Sequence, residues 1–415
     1  MKVVVPAETE QGERRVALLP DNAAALVKAG LDVEVQEGAG TACLASDAAY
    51  LAAGAGVVPD PDLSSADILL HVRPLEPRRI ASLHPGALTL GFCSPSTEQD
   101  TVRALQRARV TAFAMELVPR ISRAQSMDAL TSQALVAGYR CVLEAAMRLP
   151  RFFPLFMTAA GTVPPAKVLV LGAGVAGLQA IATARRLGAQ VSAYDVRPAS
   201  ADEVRSMGAT FVELDLESLE GSGGYAREMT EDRARRQREL LTPYLVDSDV
   251  VITTAAVPGR RAPLLVTGDM LVGMRPGSVV VDLAAETGGN VEGSLPGQEV
   301  PIGLGGGGTA CLLGMKDAAS ALSADASRLY AKNVTNLLQL MLRDGELDLD
   351  LDDEVIAGSC LTHDGTVRHA PTARALGEVD PDDPPQPPGG SDGPDPQVGQ
   401  ESPAGPGPAD GGGAR

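Results

Sequence analysis

The chain has 415 residues, of which 44% are hydrophobic and 21% charged, a composition typical of a globular protein with two or three domains. A formal net charge of −18 and an aromatic content of 3% exclude an extended nucleic-acid surface, which needs clustered Lys and Arg and stacking rings. No apolar run reaches about 20 residues, so no membrane insertion is predicted. Five scattered cysteines without a C-x-x-C pair predict reduced thiols in a cytoplasmic protein.

The first 130 residues alternate between strand and helix patterns. Short apolar runs predict the strands, and segments with helical periodicity predict the helices between them. The predicted strands are 3–5, 31–36, 68–72, 87–90 and 110–113, and the predicted helices are 21–30, 47–55 and 97–108. Such alternation is typical of a parallel sheet covered by helices, so we expect one α/β domain here.

A polar loop and a long helix come next. We expect the helix, at residues 129–149, to cross from the first domain into a second and to bury the apolar side chains that recur in core spacing. Those side chains are Leu135, Tyr139, Val142, Leu143 and Met147. The loop ahead of the helix is dense in hydrogen-bonding groups, namely Arg120, Ser122, Arg123, Gln125, Ser126 and Asp128. The residues alone allow either a capped, solvated turn or a binding site.

The most specific pattern follows that helix. A strand leads into Gly172, Gly174 and Gly177 in G-x-G-x-x-G spacing, and then come a helix and a second strand that ends at Asp195. In a βαβ unit these glycines permit the tight turn, the approach of a diphosphate and close packing of helix on strand. Asp195 is placed to accept from a ribose 2′-hydroxyl, which favours NAD over NADP. Arg197 could meet a 2′-phosphate, but the acid ahead of it would repel one.

Further strands are predicted at residues 210–213, 250–253 and 279–283. Between the first two lies an insert with a glycine-rich hinge, residues 221–224, directly ahead of Tyr225. A hinge beside an aromatic side chain suits a lid that closes over a ligand, and a mobile surface loop is an equal alternative.

The remaining third contains three different segments. Glycine-rich residues 301–314 are predicted to form a loop, and residues 325–342 a buried helix. Asp348, Asp350 and Asp352 fail the calcium-loop pattern, because glycine and glutamate are missing at its sixth and twelfth positions. We therefore predict a strand with a solvated acidic face and no metal site.

Residues 377–415 differ in composition from the rest. Ten prolines and ten glycines in 39 residues cannot build a core, so we predict a disordered acidic tail.

Several segments together resemble one family. RISRAQSMDAL, KVLVLGAGVAGLQAIATARRLGA, YDVRP, GSGGYAREM, PGSVVVDLAAETGGN and LYAKNVTNLL occur in order. They are similar to the NAD(H)-binding component of proton-translocating NAD(P) transhydrogenase, within the superfamily that includes alanine dehydrogenase. The resemblance covers roughly residues 1–370.

The resemblance implies an α/β fold with two Rossmann-like, doubly wound parallel-sheet domains and a cleft between them. The first domain would combine residues 1–130 and 318–370, and the NAD(H)-binding domain would span 131–317, with the linking helix at 129–149.

The resemblance also implies a set of NAD(H)-binding residues. These are Arg120, Ile121, Ser122, Gln125, Asp128 and Thr131 in and after the polar loop, Gly172, Gly174, Val175 and Gly177 in the glycine turn, Asp195, Val196 and Arg197 at the ribose, Gly224 and Tyr225 in the lid, and Gln237 and Ala256 beyond it. Among them, Arg120, Gln125, Asp128 and Tyr225 would serve catalysis by positioning the nicotinamide and closing the lid.

The implied reaction is direct hydride transfer between NADH on this chain and NADP⁺ on a partner. Such a transfer needs orientation and no general acid or base. The expected partners are an NADP(H)-binding beta subunit, a membrane-spanning subunit that moves protons and a second copy of the chain. The protein would be cytoplasmic and peripheral on the inner face of the cell membrane. Both the Si-specific and the proton-translocating type share this activity, and the resemblance favours the latter.

Two other functions stay open. An alanine dehydrogenase needs a proton acceptor in its cleft, yet the segment LTLGFCSPS, where that enzyme carries a histidine, has none. Arg73 stands in place of its substrate lysine and Glu286 in place of its late aspartate, whereas Arg15 matches. A non-catalytic NAD-binding module would keep the glycines without needing the polar loop or Tyr225.

Overall fold

A computed structural model describes residues 1–216, 231–257 and 259–378. The α-helices are α1 (Pro20–Lys28), α2 (Asp47–Ala52), α3 (Pro77–Ile80), α4 (Gln99–Arg107), α5 (Ala129–Arg148), α6 (Val175–Arg186), α7 (Ser200–Ser206), α8 (Glu231–Val246), α9 (Gly268–Val272), α10 (Ser323–Leu340), α11 (Glu354–Ser359) and α12 (Ala370–Ala375). The strands are β1 (Lys2–Val5), β2 (Asp32–Gln36), β3 (Gly56–Val58), β4 (Ile68–Leu70), β5 (Leu88–Gly91), β6 (Thr111–Ala114), β7 (Phe156–Thr158), β8 (Gly161–Val163), β9 (Lys167–Leu171), β10 (Gln190–Tyr194), β11 (Thr210–Phe211), β12 (Val250–Thr253), β13 (Val279–Asp282), β14 (Glu299–Gly303), β15 (Thr309–Gly314), β16 (Leu342–Arg343), β17 (Glu346–Leu347), β18 (Cys360–His363) and β19 (Thr366–Val367).

The first sheet has the order β19-β18-β6-β5-β4-β1-β2-β3. The strands from β1 to β6 run parallel, whereas β18 pairs antiparallel with β6 and β19 with β18. The chain therefore returns after the second sheet to complete the first. Helix α10 packs on this sheet through Tyr330, Val334, Leu337 and Leu338.

The second sheet has the order β11-β10-β9-β12-β13-β15-β14 and is parallel except for its edge strand β14. Strand order reverses between β9 and β12, which places a crevice at the carboxyl ends of these two strands. The predicted α/β class with two doubly wound parallel sheets is confirmed. The predicted domain boundaries at residues 130 and 318 stay a prediction.

Two sequence predictions about local structure are wrong. Residues 301–314 are not a loop, because β14 and β15 form an antiparallel hairpin whose turn uses Gly307 and Gly308 at φ values of +87° and +85°. Nor does the acidic stretch form a strand. Asp348 follows the short β16–β17 hairpin, and Asp353 accepts from the backbone N–H groups that open α11.

The face of α5 that is buried also differs from the prediction. Leu135, Tyr139 and Met147 are 41%, 39% and 77% exposed, whereas small residues of the helix are buried. A Cβ atom at Gly138 would lie 2.1 Å from the backbone oxygen of Ala176 in α6. The two helices thus meet backbone to backbone, and this close approach selects the small-residue face of α5.

Two predicted features lie outside the described residues. These are the lid, with Gly224 and Tyr225, and the tail beyond residue 378. Within the described ranges, no helix is both long and apolar enough to cross a bilayer.

Candidate dinucleotide-binding site

The glycine turn joins β9 to α6 and has the geometry that a βαβ nucleotide site needs. Gly172 adopts φ +100°, which side chains strain to reach, and its N–H donates to the carbonyl of Tyr194 at 2.8 Å. A Cβ atom at Gly177 would lie 1.9 Å from the carbonyl oxygen of Gly172. The third glycine therefore allows α6 to rest directly on the turn.

The start of α6 has room for an anion. Gly174 is the N-cap residue and contributes no side chain to the first turn, which begins at Val175. A Cβ atom on Gly174 would meet nothing within 4 Å, so open space lies on this side of the turn. Backbone N–H groups and the helix dipole attract a diphosphate to such a position. The residues present thus fit the predicted NAD(H).

Asp195 lies directly after β10 and is tied to the glycine turn. Its Oδ2 accepts from the N–H of Ala173 at 2.7 Å, and its Oδ1 accepts from the N–H of Arg197 at 2.9 Å. The guanidinium of Arg197 also donates to both carboxylate oxygens. Val196 between them packs partly buried against the second core. A ribose hydroxyl would share this carboxylate with Arg197.

Gln237 lies behind the predicted ribose end. It is buried in α8, and its Oε1 accepts from the hydroxyl of Tyr194, the last residue of β10, at 3.1 Å. The structure therefore places Gln237 as a support for the strand that carries Asp195. Its direct contact with a nucleotide stays a prediction.

The loop after β12 forms the other wall of the crevice and rests on Asn290, which sequence reasoning missed. The side-chain amide of Asn290 donates to the carbonyl of Ala255 at 2.8 Å and accepts from its N–H at 3.0 Å. Thr254 donates to the carbonyl of Gly172 at 3.0 Å, which joins this loop to the glycine turn. Ala256, the next residue, is exposed.

Asp282 holds this arrangement from below. It ends β13, is fully buried, and accepts hydrogen bonds from the hydroxyl of Thr253 and from the backbone N–H groups of Ala284, Asn290 and Val291. A buried carboxylate is tolerated when its oxygens are satisfied in this way. An aspartate closing a fully apolar strand was the signal in the sequence that could have indicated it.

The polar loop contains a 3₁₀ helix, Ser122–Met127. Ala124 is fully buried in the first core and Ile121 packs partly buried against it. Ser122 and Gln125 are exposed, as is Arg120 ahead of the helix. The loop therefore presents its polar groups outward from a fixed apolar base.

Asp128 ends the loop and caps α5. Its Oδ1 accepts from the N–H of Thr131 at 2.8 Å, and its Oδ2 accepts from the Thr131 hydroxyl at 2.6 Å. This geometry matches the capped-turn alternative for Asp128. Contacts of Asp128 and Thr131 with a nicotinamide stay a prediction.

Helix α5 connects the loop to the glycine turn. Ala129 opens α5, and Gly138 touches Ala176 in the first turn of α6. Nine residues separate these two positions, which corresponds to about 14 Å along the helix axis. The two predicted halves of the site are thus spaced by one rigid element.

A buried ion-pair cluster lies where the two halves of the molecule meet. Arg15 pairs with Glu13 at 2.6 Å and also donates to Gln133 of α5 at 3.0 Å. Arg73 pairs with Glu13 at 2.7 Å and with Asp317, which follows the second sheet. Although burial raises it, the pKa of Glu13 is lowered to about 2 by the hydrogen bond and charge of Arg15. The cluster therefore stays ionised at neutral pH.

His71 follows β4 and is almost completely buried. Its Nδ1 lies 2.7 Å from the carbonyl oxygen of Arg73, which makes Nδ1 the protonated nitrogen. Burial lowers the pKa of His71 to about 4. The imidazole is therefore neutral at pH 7 and serves the packing of the first domain. The other three histidines contact Pro85, Thr111 and Thr372, respectively.

This lowered pKa predicts a loss of stability in mild acid. Because the unfolded chain binds the proton near pH 6.5 and the folded chain near 4, the contribution of His71 is complete above pH 6.5 and falls as the pH drops towards 4. Between pH 7 and 5 we expect the free energy of unfolding to fall by about 2 kcal/mol more in the wild type than in His71→Asn. Urea unfolding at both pH values measures the difference, and equal losses would contradict it.

A metal site is not evident in the described ranges, where no group of three or more His, Cys, Asp or Glu side chains could hold an ion.

Two family models match the chain. One, described as "Alanine dehydrogenase/PNT, N-terminal domain", matches residues 4–137, and the other, "Alanine dehydrogenase/PNT, C-terminal domain", matches residues 141–370.

Individual proteins give the same result. The first of the separate chains that make up NAD(P) transhydrogenase subunit alpha in Rhodospirillum rubrum is 45% identical over 382 residues, which are 89% of this chain and 98% of the relative. The crystal structure of a transhydrogenase from Sinorhizobium meliloti has a TM-score of 0.80 and 44% identity, covering 88% of this chain and 100% of that one. An L-alanine dehydrogenase structure has a TM-score of 0.73 and 25% identity, covering 91% and 99%. The resemblance drawn from the motifs is confirmed.

Proposed function

This chain belongs to the alanine dehydrogenase/PNT family, and on that premise we propose that it is the NAD(H)-binding catalytic subunit of a proton-translocating NAD(P) transhydrogenase. The observation that supports this most is the pairing of a complete nucleotide turn with an outward-facing polar loop at the other end of the α5 contact. The similarity to relatives named as transhydrogenase subunit alpha chains over nearly their full length agrees with it.

The side chains divide the work of holding and orienting the nucleotide. NADH supplies the hydride when it is bound. The uncapped start of α6 and Asp195 would hold its diphosphate and ribose. Gln125, exposed on the loop, would hydrogen-bond the carboxamide, with Arg120 beside it. Since a hydride passes directly to the acceptor, none of these residues has to move a proton.

The partners follow from the same proposal. The Rhodospirillum rubrum relative is named as one portion of an alpha subunit, and so as one piece of a larger enzyme. We infer that NADP(H) is held on a beta subunit and that a membrane-spanning subunit couples the transfer to proton movement. The chain would then be cytoplasmic and peripheral on the inner face of the cell membrane.

An exposed apolar surface supports a homodimer. It comprises Leu135, Tyr139 and Met147 of α5 with Phe152, Leu155, Phe156 and Met157 at and before β7. The rings of Phe152 and Phe156 stack edge to face at 4.7 Å. Large apolar side chains gathered in this way mark a protein interface more often than a solvated surface.

Stopped-flow mixing tests the proposed function. We expect the chain loaded with NADH to reduce an NADP⁺ analogue rapidly when it is mixed with the NADP(H)-binding domain of its partner, and not without that domain. The alternative is an alanine dehydrogenase, which the shared fold and Arg15 keep open. NADH oxidation by this chain alone with pyruvate and ammonium, and no transfer to the analogue, would establish the alternative instead.

A further inference from the structure

We propose that Asn333 of α10 is a positioning residue for hydride transfer, which fixes the main chain of the 3₁₀ helix Ser122–Met127 so that Gln125 is held in one place. The inference rests on the function proposed above. It assigns a role to a residue that lies outside the glycine turn and outside the polar loop itself.

The contacts of Asn333 join the loop to two helices. Its Nδ2 donates to the carbonyl oxygen of Ser126 at 2.9 Å, and its Oδ1 accepts from the hydroxyl of Ser132, in the first turn of α5, at 2.7 Å. Asn333 is buried, with only 6% of its surface exposed. The Ser132 hydrogen bond orients the amide, so the nitrogen faces the loop.

The carbonyl of Ser126 accepts a second hydrogen bond, from Asn336 at 3.0 Å. Asn336 lies on the same helix but is exposed. A hydrogen bond in contact with water contributes less than a buried one, because water replaces it when it is lost. Of the two amides, Asn333 should therefore dominate.

A third anchor lies at the front of the loop. Arg123 donates through both Nη atoms to the carboxylate of Asp353 at 2.7 and 3.0 Å. The arginine side chain is 47% exposed, and pairs of this kind contribute little in water. This anchor limits the path of the loop without replacing the buried one.

Gln125 stands between two fixed points. Ala124 before it is fully buried in the first core, and Ser126 after it is bound through its carbonyl. The side chain of Gln125 itself makes no hydrogen bond with any described residue and is exposed. Its direction therefore depends on the main chain on either side, and loss of the Asn333 contact frees one of those sides.

This arrangement predicts separate effects on binding and on transfer. The diphosphate and ribose ends would be held by the glycine turn and Asp195, which Asn333 does not touch. A displaced loop therefore leaves NADH bound but its nicotinamide misaligned. A displacement of about 1 Å at a reacting group can lower a rate about a hundredfold.

The experiment compares Asn333→Ala with Asn336→Ala, a matched change on the same carbonyl. With the NADP(H)-binding partner domain present, we expect Asn333→Ala to slow single-turnover transfer by about tenfold to a hundredfold. Its Kd for NADH should change less than about threefold, and Asn336→Ala should transfer nearly as fast as the wild type. Ser132→Ala, which removes only the bond that orients the amide, should slow transfer by an intermediate amount and decides the question if Asn333→Ala does not fold.

The outcomes separate this inference from the proposed function. A wild-type chain that does not transfer would overturn both. A wild type that transfers, with Asn333→Ala or its substitute Ser132→Ala equally fast, would overturn the inference alone. Weakened NADH binding in proportion to the slower transfer would show a general structural role and would likewise overturn it.

Discussion

Gly177→Ala is expected to abolish NADH binding and to lower the free energy of unfolding by about 3 kcal/mol or more. The added methyl would stand 1.9 Å from the carbonyl oxygen of Gly172, and no flexible side chain lies there to yield. Helix α6 would have to lift from β9, and its N-terminus would leave the position that receives a diphosphate. Urea unfolding and titration of NADH fluorescence measure the two effects.

Gly174→Ala is the matched control three residues earlier. Its methyl would point into open space, so the variant should unfold within about 0.5 kcal/mol of the wild type. That space is where the nucleotide would approach the backbone, and we expect NADH binding to weaken at least about tenfold. Wild-type affinity in Gly174→Ala would show that the diphosphate lies elsewhere.

The nucleotide turn could be read from the sequence because its requirements are local. Each glycine serves a backbone conformation or approach within a few residues, and Asp195 follows the next strand at a spacing fixed by one helix. The same holds for the alternation that predicted the parallel sheets, since each strand and helix carries its own periodicity.

The buried face of α5 could not be read in the same way. Apolar spacing selected Leu135, Tyr139 and Met147, yet the partner of α5 is α6, which accepts the backbone at Gly138. Which face is buried depends on a helix that follows dozens of residues later. A stripe of large apolar side chains left outside a single chain has the same pattern in sequence as a core stripe.

The supports of the site share this limit. Asn333 is 207 residues from Ser126, and Asn290 is 35 from Ala255. Sequence spacing does not reveal such pairs, because the fold alone brings them together. The polar loop was recognised from its motif, but its hold on α10 became visible only in the structure.

Asp282 is the buried support of the crevice, and its removal should have a large effect. Asp282→Ala is expected to lower the free energy of unfolding by about 3–5 kcal/mol, because it leaves backbone N–H groups of Ala284, Asn290 and Val291 buried without an acceptor. Asn290 would lose its fixed position and with it the loop at Ala255, so NADH binding should weaken as well. Glu292→Ala is the control, since that carboxylate also accepts from a backbone N–H, of Gly268 at 2.7 Å, but at the surface. Urea unfolding should show a change below about 1 kcal/mol for the control. Equal stability losses in the two variants would mean that burial of the Asp282 network does not determine its contribution.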